Sequence, residues 1–227
     1  MYLVNALNEL IQLDESGNVL RRYSNNYLGQ LQLISIHNPL QIVLFYPGFQ
    51  TLIILDKGLN ELKRIGMDQL NIPYVSTVGY SAEREVWYFD EQLQRFKKVN
   101  IHGRHILESN LENRYQPVRV QKIRIQKNEI KAWCDSTVLI TLDLNGNFKG
   151  ESRHSGEWVY WKEDRIAFFN NQEIMTYTNQ DGTPPVPDQT IRIKDMPWIR
   201  SVCLLDKGYA AIDRDGQFYL FRLKSSR

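Results

Sequence analysis

An apolar strand that ends in Asp or Asn and runs into a turn recurs along this chain at a nearly constant interval. The copies are LIQLDESGNVL (10 to 20), LIILDKGLNEL (52 to 62), RFKKVNIHGRHI (95 to 106), VLITLDLNGNF (138 to 148) and IMTYTNQDGTP (174 to 184). Their marker residues Asp14, Asp56, Asn100, Asp143 and Asn179 stand 42, 44, 43 and 36 residues apart, and the C-terminal FYLFRLKSSR places Lys224 at a sixth position 45 further on. A period near 40 means one supersecondary unit repeated, and it overrides any element-by-element reading of the fold.

Inside each unit the runs are short, rich in β-branched and aromatic residues, and separated by turn residues, which is the pattern of an all-β protein. One unit reads as four strands: Val118 to Ile125, Glu129 to Cys134, Thr137 to Leu142, and Phe148 onwards. No long stretch spaces its apolar residues as a helix would. Radially repeated four-stranded units describe a β-propeller, and six copies make it six-bladed. The chain is expected to be one domain, with blades near 1–24, 28–67, 74–110, 117–153, 156–194 and 198–227. With strands lettered A to D outward from the axis, full sets start near Leu28, Val75, Val118 and Trp158. The N-terminal piece offers only B, C and D, and the C-terminal piece only A, B and C. The natural protein is therefore expected to begin upstream of Met1, with a segment of ~20 residues supplying the missing strand A of the first blade and strand D of the last.

Composition closes off several function classes. Of 227 residues, 42% are hydrophobic and 24% charged, the balance of a globular protein, and the net charge of +2 gives no footprint for nucleic acid. Cys134 and Cys203 lie in apolar runs without a Cys-x-x-Cys pair, which points to buried free thiols rather than a disulfide framework or zinc site. Residues 28 to 55 lack any Asp, Glu, Lys or Arg, yet Pro39, Pro47, Gly48 and several Gln interrupt them, so the run reads as two or three strands and not a membrane span. The N-terminus has no signal-peptide pattern.

The stretch Ser35-Ile36-His37-Asn38-Pro39-Leu40, followed by Phe45-Tyr46, Phe49, Leu55-Asp56 and Val86-Trp87-Tyr88-Phe89-Asp90-Glu91-Gln92, resembles a family of uncharacterised six-bladed, NHL-like propellers common in the Bacteroidota. The resemblance runs over nearly the whole chain. It implies an exported protein, periplasmic or associated with the outer membrane, with no assigned catalysis. It carries over no functional residues, and members of the family usually begin with an export signal and an additional pair of strands.

Two sets of residues are candidates for a binding site on the face that carries the B to C and D to A connections. The first is aromatic: Tyr27, Tyr74, Tyr115, Trp158 and Trp198, one in every D to A connection, suited to a peptide, glycan or protein loop. The second is polar: Asn5, Asp90, Asp135, Asn170 and Asp213 end strand B in five blades, where they could gather oxygens for a ligand or cap their own turns. Asp90, Asp135 and Asp213 are the acidic members. The function expected is a non-enzymatic binding or scaffold module that engages a protein partner or an extended ligand through this face, without cofactor or metal. The competing reading is a calcium-dependent lactonase-like hydrolase, which would need acidic or amide groups at the inner strand mouths, where this chain is mostly apolar apart from Glu157. Asp143, Asn145 and Asn147 resemble the start of a calcium loop, but no Glu follows at the twelfth position and the equivalent turns offer Lys and His. His102 and His105 lack supporting ligands, and the basic run Arg119 to Lys127 reads as a strand with solvated alternate positions.

Overall fold

The computed structural model describes every residue outside positions 1, 6, 15, 39, 110–116, 127, 136, 155–157, 163–164, 171–172, 179–188, 193–198, 206–207, 214, 216 and 223–227. Among the described residues there are 22 strands in six sheets, and strands that follow each other in sequence pair with each other. The first sheet holds β1 (Tyr2–Val4), β2 (Leu10–Leu13) and β3 (Val19–Tyr23). The second holds β4 (Leu33–Asn38), β5 (Gln41–Tyr46), β6 (Thr51–Asp56) and β7 (Glu61–Gly66), and the third β8 (Val78–Tyr80), β9 (Glu85–Asp90), β10 (Arg95–Asn100) and β11 (His105–Glu108). The fourth comprises β12 (Val120–Gln126), β13 (Glu129–Cys134), β14 (Val138–Asp143) and β15 (Phe148–Arg153). The fifth comprises β16 (Trp158–Lys162), β17 (Arg165–Asn170), β18 (Glu173–Thr178) and β19 (Gln189–Arg192), and the sixth β20 (Ile199–Leu205), β21 (Gly208–Asp213) and β22 (Phe218–Arg222). The chain forms two compact units, Met1–Ala132 with Thr141–Lys149, and Trp133–Ile140 with Gly150–Arg227.

In the first unit both faces of a middle strand are covered, which is why β5 reads QIVLFY without alternation. Val43 and Phe45 join Val78, Tyr80, Val86 and Tyr88 of the third sheet in one core, whereas Ile42, Leu44 and Tyr46 pack with Leu10 and Leu28 in another. Fully burying such a side chain is worth roughly 1.5–3 kcal/mol, so the second sheet is held from both sides. The last strands of the first two sheets are different: β3 and β7 are exposed over most of their length, with Arg21, Arg22, Lys63 and Arg64 among their residues. In the second unit, Phe168 faces Trp133, Leu139 and Tyr177, while its neighbours Ala167 and Phe169 face Val202, Tyr209 and Ala211. The uncharged run 28–55 contains β4, β5 and all of β6 but its last residue, Asp56, and no helix among the described residues is long and apolar enough to cross a membrane.

The repeated marker residue organises a hairpin. Asp14 Oδ1 accepts the N–H of Ser16 and Asn18, Asp56 Oδ1 those of Gly58 and Asn60, Asn100 Oδ1 those of His102 and Arg104, and Asp143 Oδ1 those of Asn145 and Asn147. Asp143 Oδ2 takes a further bond from Asn147 Nδ2, and that amide, ahead of the turn's N–H groups, holds the carboxyl below its usual range. The stretch that resembles a calcium loop is thus a self-satisfied turn. Asn179 and Lys224 lie outside the described residues.

Three of these four turns place Gly in the left-handed region, at Gly17, Gly103 and Gly146, but the second places Leu59 there, at φ 63°. Left-handed backbone costs an L-residue about 1–2 kcal/mol. Leu59 offsets this because its side chain is buried beside Leu55 and Ile42, a gain of roughly 1.5–3 kcal/mol. A Cβ at Gly58 would lie 2.9 Å from Asn60 Nδ2 and 3.1 Å from Asp56 Oδ1, so a larger residue there would push these two turn side chains aside.

Candidate functional site

The inner strands begin later than the sequence suggests. β4 starts at Leu33 and not near Leu28, β8 at Val78 and not near Val75, and β12 at Val120 and not at Val118. Leu28, Val75 and Val118 are buried all the same. At Val75 and Val118, amide side chains of preceding turns take the place of a neighbouring strand. Gln50, in the β5–β6 turn, accepts the Val75 N–H at Oε1 (2.9 Å) and donates Nε2–H to the Val75 carbonyl (2.8 Å) and to Pro47 in its own turn (2.7 Å). Gln94, in the β9–β10 turn, repeats the arrangement on Val118, at 2.7 and 3.2 Å, with its other Nε2–H on the Glu91 carbonyl at 2.7 Å. In the β1–β2 turn Asn8 donates to the Gly29 carbonyl and accepts the Leu31 N–H, both at 2.8 Å.

All three clamp residues are left-handed, at φ 64° for Asn8, 46° for Gln50 and 53° for Gln94. For the glutamines that conformation costs about 1–2 kcal/mol, and three hydrogen bonds of roughly 0.5–1.5 kcal/mol each outweigh it. Each clamp follows an exposed apolar residue: Leu7, Phe49 and Leu93. These dipeptides escaped the motif reading, although they recur at 42 and 44 residues, the interval of the hairpin markers.

Successive strands in these sheets run in opposite directions, so the β1–β2, β5–β6 and β9–β10 turns share an end with the β3–β4 and β7–β8 connections. Tyr27 and Tyr74 lie in those two connections and are 86% and 75% exposed. Tyr27 lies in an Asx turn in which its N–H donates to Asn25 Oδ1. Phe49 reaches the glycine that Asn8 holds, with Cδ2 4.0 Å from where a Gly29 Cβ would be. This end therefore displays Leu7, Tyr27, Phe49, Tyr74 and Leu93 on turns and connections, while at the opposite end of the same sheets Leu40 is exposed in the β4–β5 turn and Val19, Leu62 and Ile106 are exposed where β3, β7 and β11 leave their hairpins. The segments at this end carry little charge. Residues 24–30 and 47–50 contain no charged group, 5–9 only Glu9, 67–74 only Asp68, and 91–94 only Glu91.

Of the other expected aromatic residues, Trp158 opens β16 opposite Phe169, and Tyr115 and Trp198 lie outside the described residues. Three of the polar set, Asn5, Asp90 and Asp213, accept hydrogen bonds from their own turns. Asp90 Oδ1 accepts the N–H of Gln92 and Leu93, and Oδ2 accepts Lys97 Nζ at 2.9 Å. Burial pushes the Asp90 carboxyl up, but the Lys97 ammonium and the turn N–H groups more than reverse this and leave it below the usual range. Buried Asp213 accepts the Gln217 N–H and the Tyr219 hydroxyl, each at 2.8 Å. Asn5 takes the N–H groups of Leu7 and Glu9. Asp135 is exposed, with left-handed backbone at φ 49°, and Asn170 ends β17. No group of three His, Cys, Asp or Glu side chains able to hold a metal ion occurs among the described residues.

The second unit contains a polar group that the sequence did not single out. His154 is 9% exposed and stacks on Phe168, ring centroids 4.0 Å apart at 14°, with Tyr177 edge-on at 5.0 Å. Its Nε2 meets Ser152 Oγ at 2.8 Å, and its Nδ1 is buried without a partner among the described residues. Burial pushes its pKa down to about 4. Cys134 is buried and is not part of a disulfide.

No family model matches the chain, and no curated protein matches it. Solved structures do. A protein of unknown function from Bacteroides caccae superposes with a TM-score of 0.64 at 11% identity, over 97% of this chain and 88% of that one. The WD40 domain of Pan2 from Neurospora crassa gives 0.58 at 10% identity, over 96% of this chain and 70% of that one. BamB from Moraxella catarrhalis gives 0.51 at 9%, over 98% and 69%. The fold is an all-β propeller. In a propeller the sheets are blades, which accounts for the burial of both faces of β5 and for the exposure of the outermost strands β3 and β7.

Proposed function

We propose that the chain is a six-bladed propeller that works as a non-enzymatic binding module, and that it engages a protein partner or an extended ligand through the end carrying the strand-two to strand-three turns and the connections between blades. Six sheets, one for each copy of the sequence repeat, support the blade number. The observation that carries the binding reading is the gathering of Leu7, Tyr27, Phe49, Tyr74 and Leu93 at one end of three sheets, on segments almost without charge. Large apolar side chains in contact with water mark interaction surfaces when they cluster, and aromatic residues dominate the energetics of such surfaces. Segments without a cation offer nothing to a phosphate backbone, so nucleic acid is not the partner sought. The likeness of residues 35–40 and 86–92 to exported propellers makes the cell envelope the compartment in which to look.

The test replaces Tyr27, Phe49 and Tyr74 together by Ala and compares capture from a native extract with that of the unaltered chain and of a control altered at Leu62 and Phe148 on outer strands. Loss of specific partners in the first variant alone supports the reading. Unchanged partners in a folded triple variant overturn it.

A further inference from the structure

We infer that Asn8, Gln50 and Gln94 are positioning residues that preset the binding end, holding the connections between blades so that Tyr27 and Tyr74 are displayed on fixed backbone. This rests on the binding reading above and adds the device that shapes the surface. Gln50 closes on both the N–H and the C=O of Val75, the residue directly after Tyr74. Asn8 closes on Gly29 and Leu31, two and four residues after Tyr27. Gln94 does the same to Val118.

Three features distinguish these amides from ordinary turn residues. The two glutamines use the same atoms for the same contacts, including the carbonyl three residues back. All three sit in left-handed backbone, a conformation that Gln seldom adopts and that marks a site where the surroundings over-determine the chain. Each immediately follows an exposed apolar tip, so one turn supplies both a contact residue and the clamp that fixes the next connection. A connection held by two backbone hydrogen bonds has little freedom to lose on association, so binding costs less ordering.

The experiment uses the full chain with Gln50→Gly, which removes the amide and relieves the left-handed strain together, and Gln50→Glu, which keeps an acceptor for the Val75 N–H but no donor for its carbonyl. Amide exchange is followed by NMR, with 3-fluorotyrosine reporting on Tyr74 and a Tyr74→Phe variant assigning its signal. In Gln50→Gly the Val75 N–H is expected to exchange about tenfold faster, and the Tyr74 fluorine signal to shift or broaden. Val118 should be unaffected, and Gln94→Gly should give the reverse pattern. Gln50→Glu should restore most of the Val75 protection without restoring the Tyr74 signal. Unchanged Val75 exchange, an unmoved Tyr74 signal, or equal acceleration of every amide in the unit would each overturn the inference. Those outcomes leave the binding reading standing, since capture by the triple variant decides that separately.

Discussion

Gly79 in β8 gives the sharpest measure of how tightly neighbouring sheets meet. A Cβ at this position would lie 2.6 Å from Ile123 Cγ2 and 3.3 Å from both Cδ1 and Cγ1 of Ile125, against an optimum of about 3.5–4.0 Å for carbon pairs. Ile123 is buried and β-branched, so Cγ2 can retreat only by rotating χ1 out of its well or by moving β12. Gly→Ala gains roughly 0.4–1 kcal/mol from a less flexible unfolded chain, but overpacking of a filled core costs about 1–3 kcal/mol. Gly79→Ala is therefore expected to destabilise the protein by on the order of 1–2 kcal/mol, or several degrees in melting temperature for a chain of this size. Urea unfolding followed by circular dichroism measures it. Ile123→Ala removes the obstructing methyl, so the double variant should be more stable than the sum of the two single costs by about 1 kcal/mol or more. A neutral Gly79→Ala, or costs that simply add, would refute the close approach of β8 to β12.

Three further outcomes follow from the same geometry. His154 has a folded pKa below its unfolded value, so its contribution is complete above about 6.5 and is lost as pH falls from there to about 4, a loss on the order of 3 kcal/mol. His154→Phe preserves the stack on Phe168 and should flatten that part of the stability profile relative to the unaltered chain; identical slopes would contradict it. Asp143→Ala should lower the unfolding midpoint because two turn N–H groups lose their acceptor, while millimolar calcium should leave the midpoint of the unaltered chain where it is. Leu59→Gly relieves left-handed backbone yet should still destabilise by about 1 kcal/mol, since the buried side chain is worth more than the strain.

The architecture was legible because the hairpin marker is chemically demanding. A short Asx side chain that accepts two N–H groups, followed by a residue in left-handed backbone, leaves few substitutions, so the period survives at Asp14, Asp56, Asn100 and Asp143 even though the rest of each unit differs. Continuous apolar strands such as QIVLFY revealed burial on both faces. The starts of β4 and β8 were illegible for a definite reason: Leu28 and Val75 are apolar and buried like strand residues, but the Val75 backbone is satisfied by Gln50, a side chain 25 positions away. Nothing local to Val75 announces that. Tyr27 and Tyr74 could be singled out from the sequence by their place in the connections between sheets, and both are exposed. Leu7, Phe49 and Leu93 could not be singled out, because a single exposed apolar residue in a turn carries no meaning until its equivalents are aligned on the same end.

Hydroxyl-radical footprinting tests the central claim most directly, because Tyr, Phe and Leu side chains are themselves the reporters. The chain is oxidised alone and again after saturation with the partner fraction captured from native extract, and modification is read at each residue. The account predicts strong protection at Tyr27, Phe49 and Tyr74, with Val19, Leu62 and Phe148 on the outer strands oxidised as before. Protection confined to those outer strands, or none at the five exposed residues of the binding end, would contradict it.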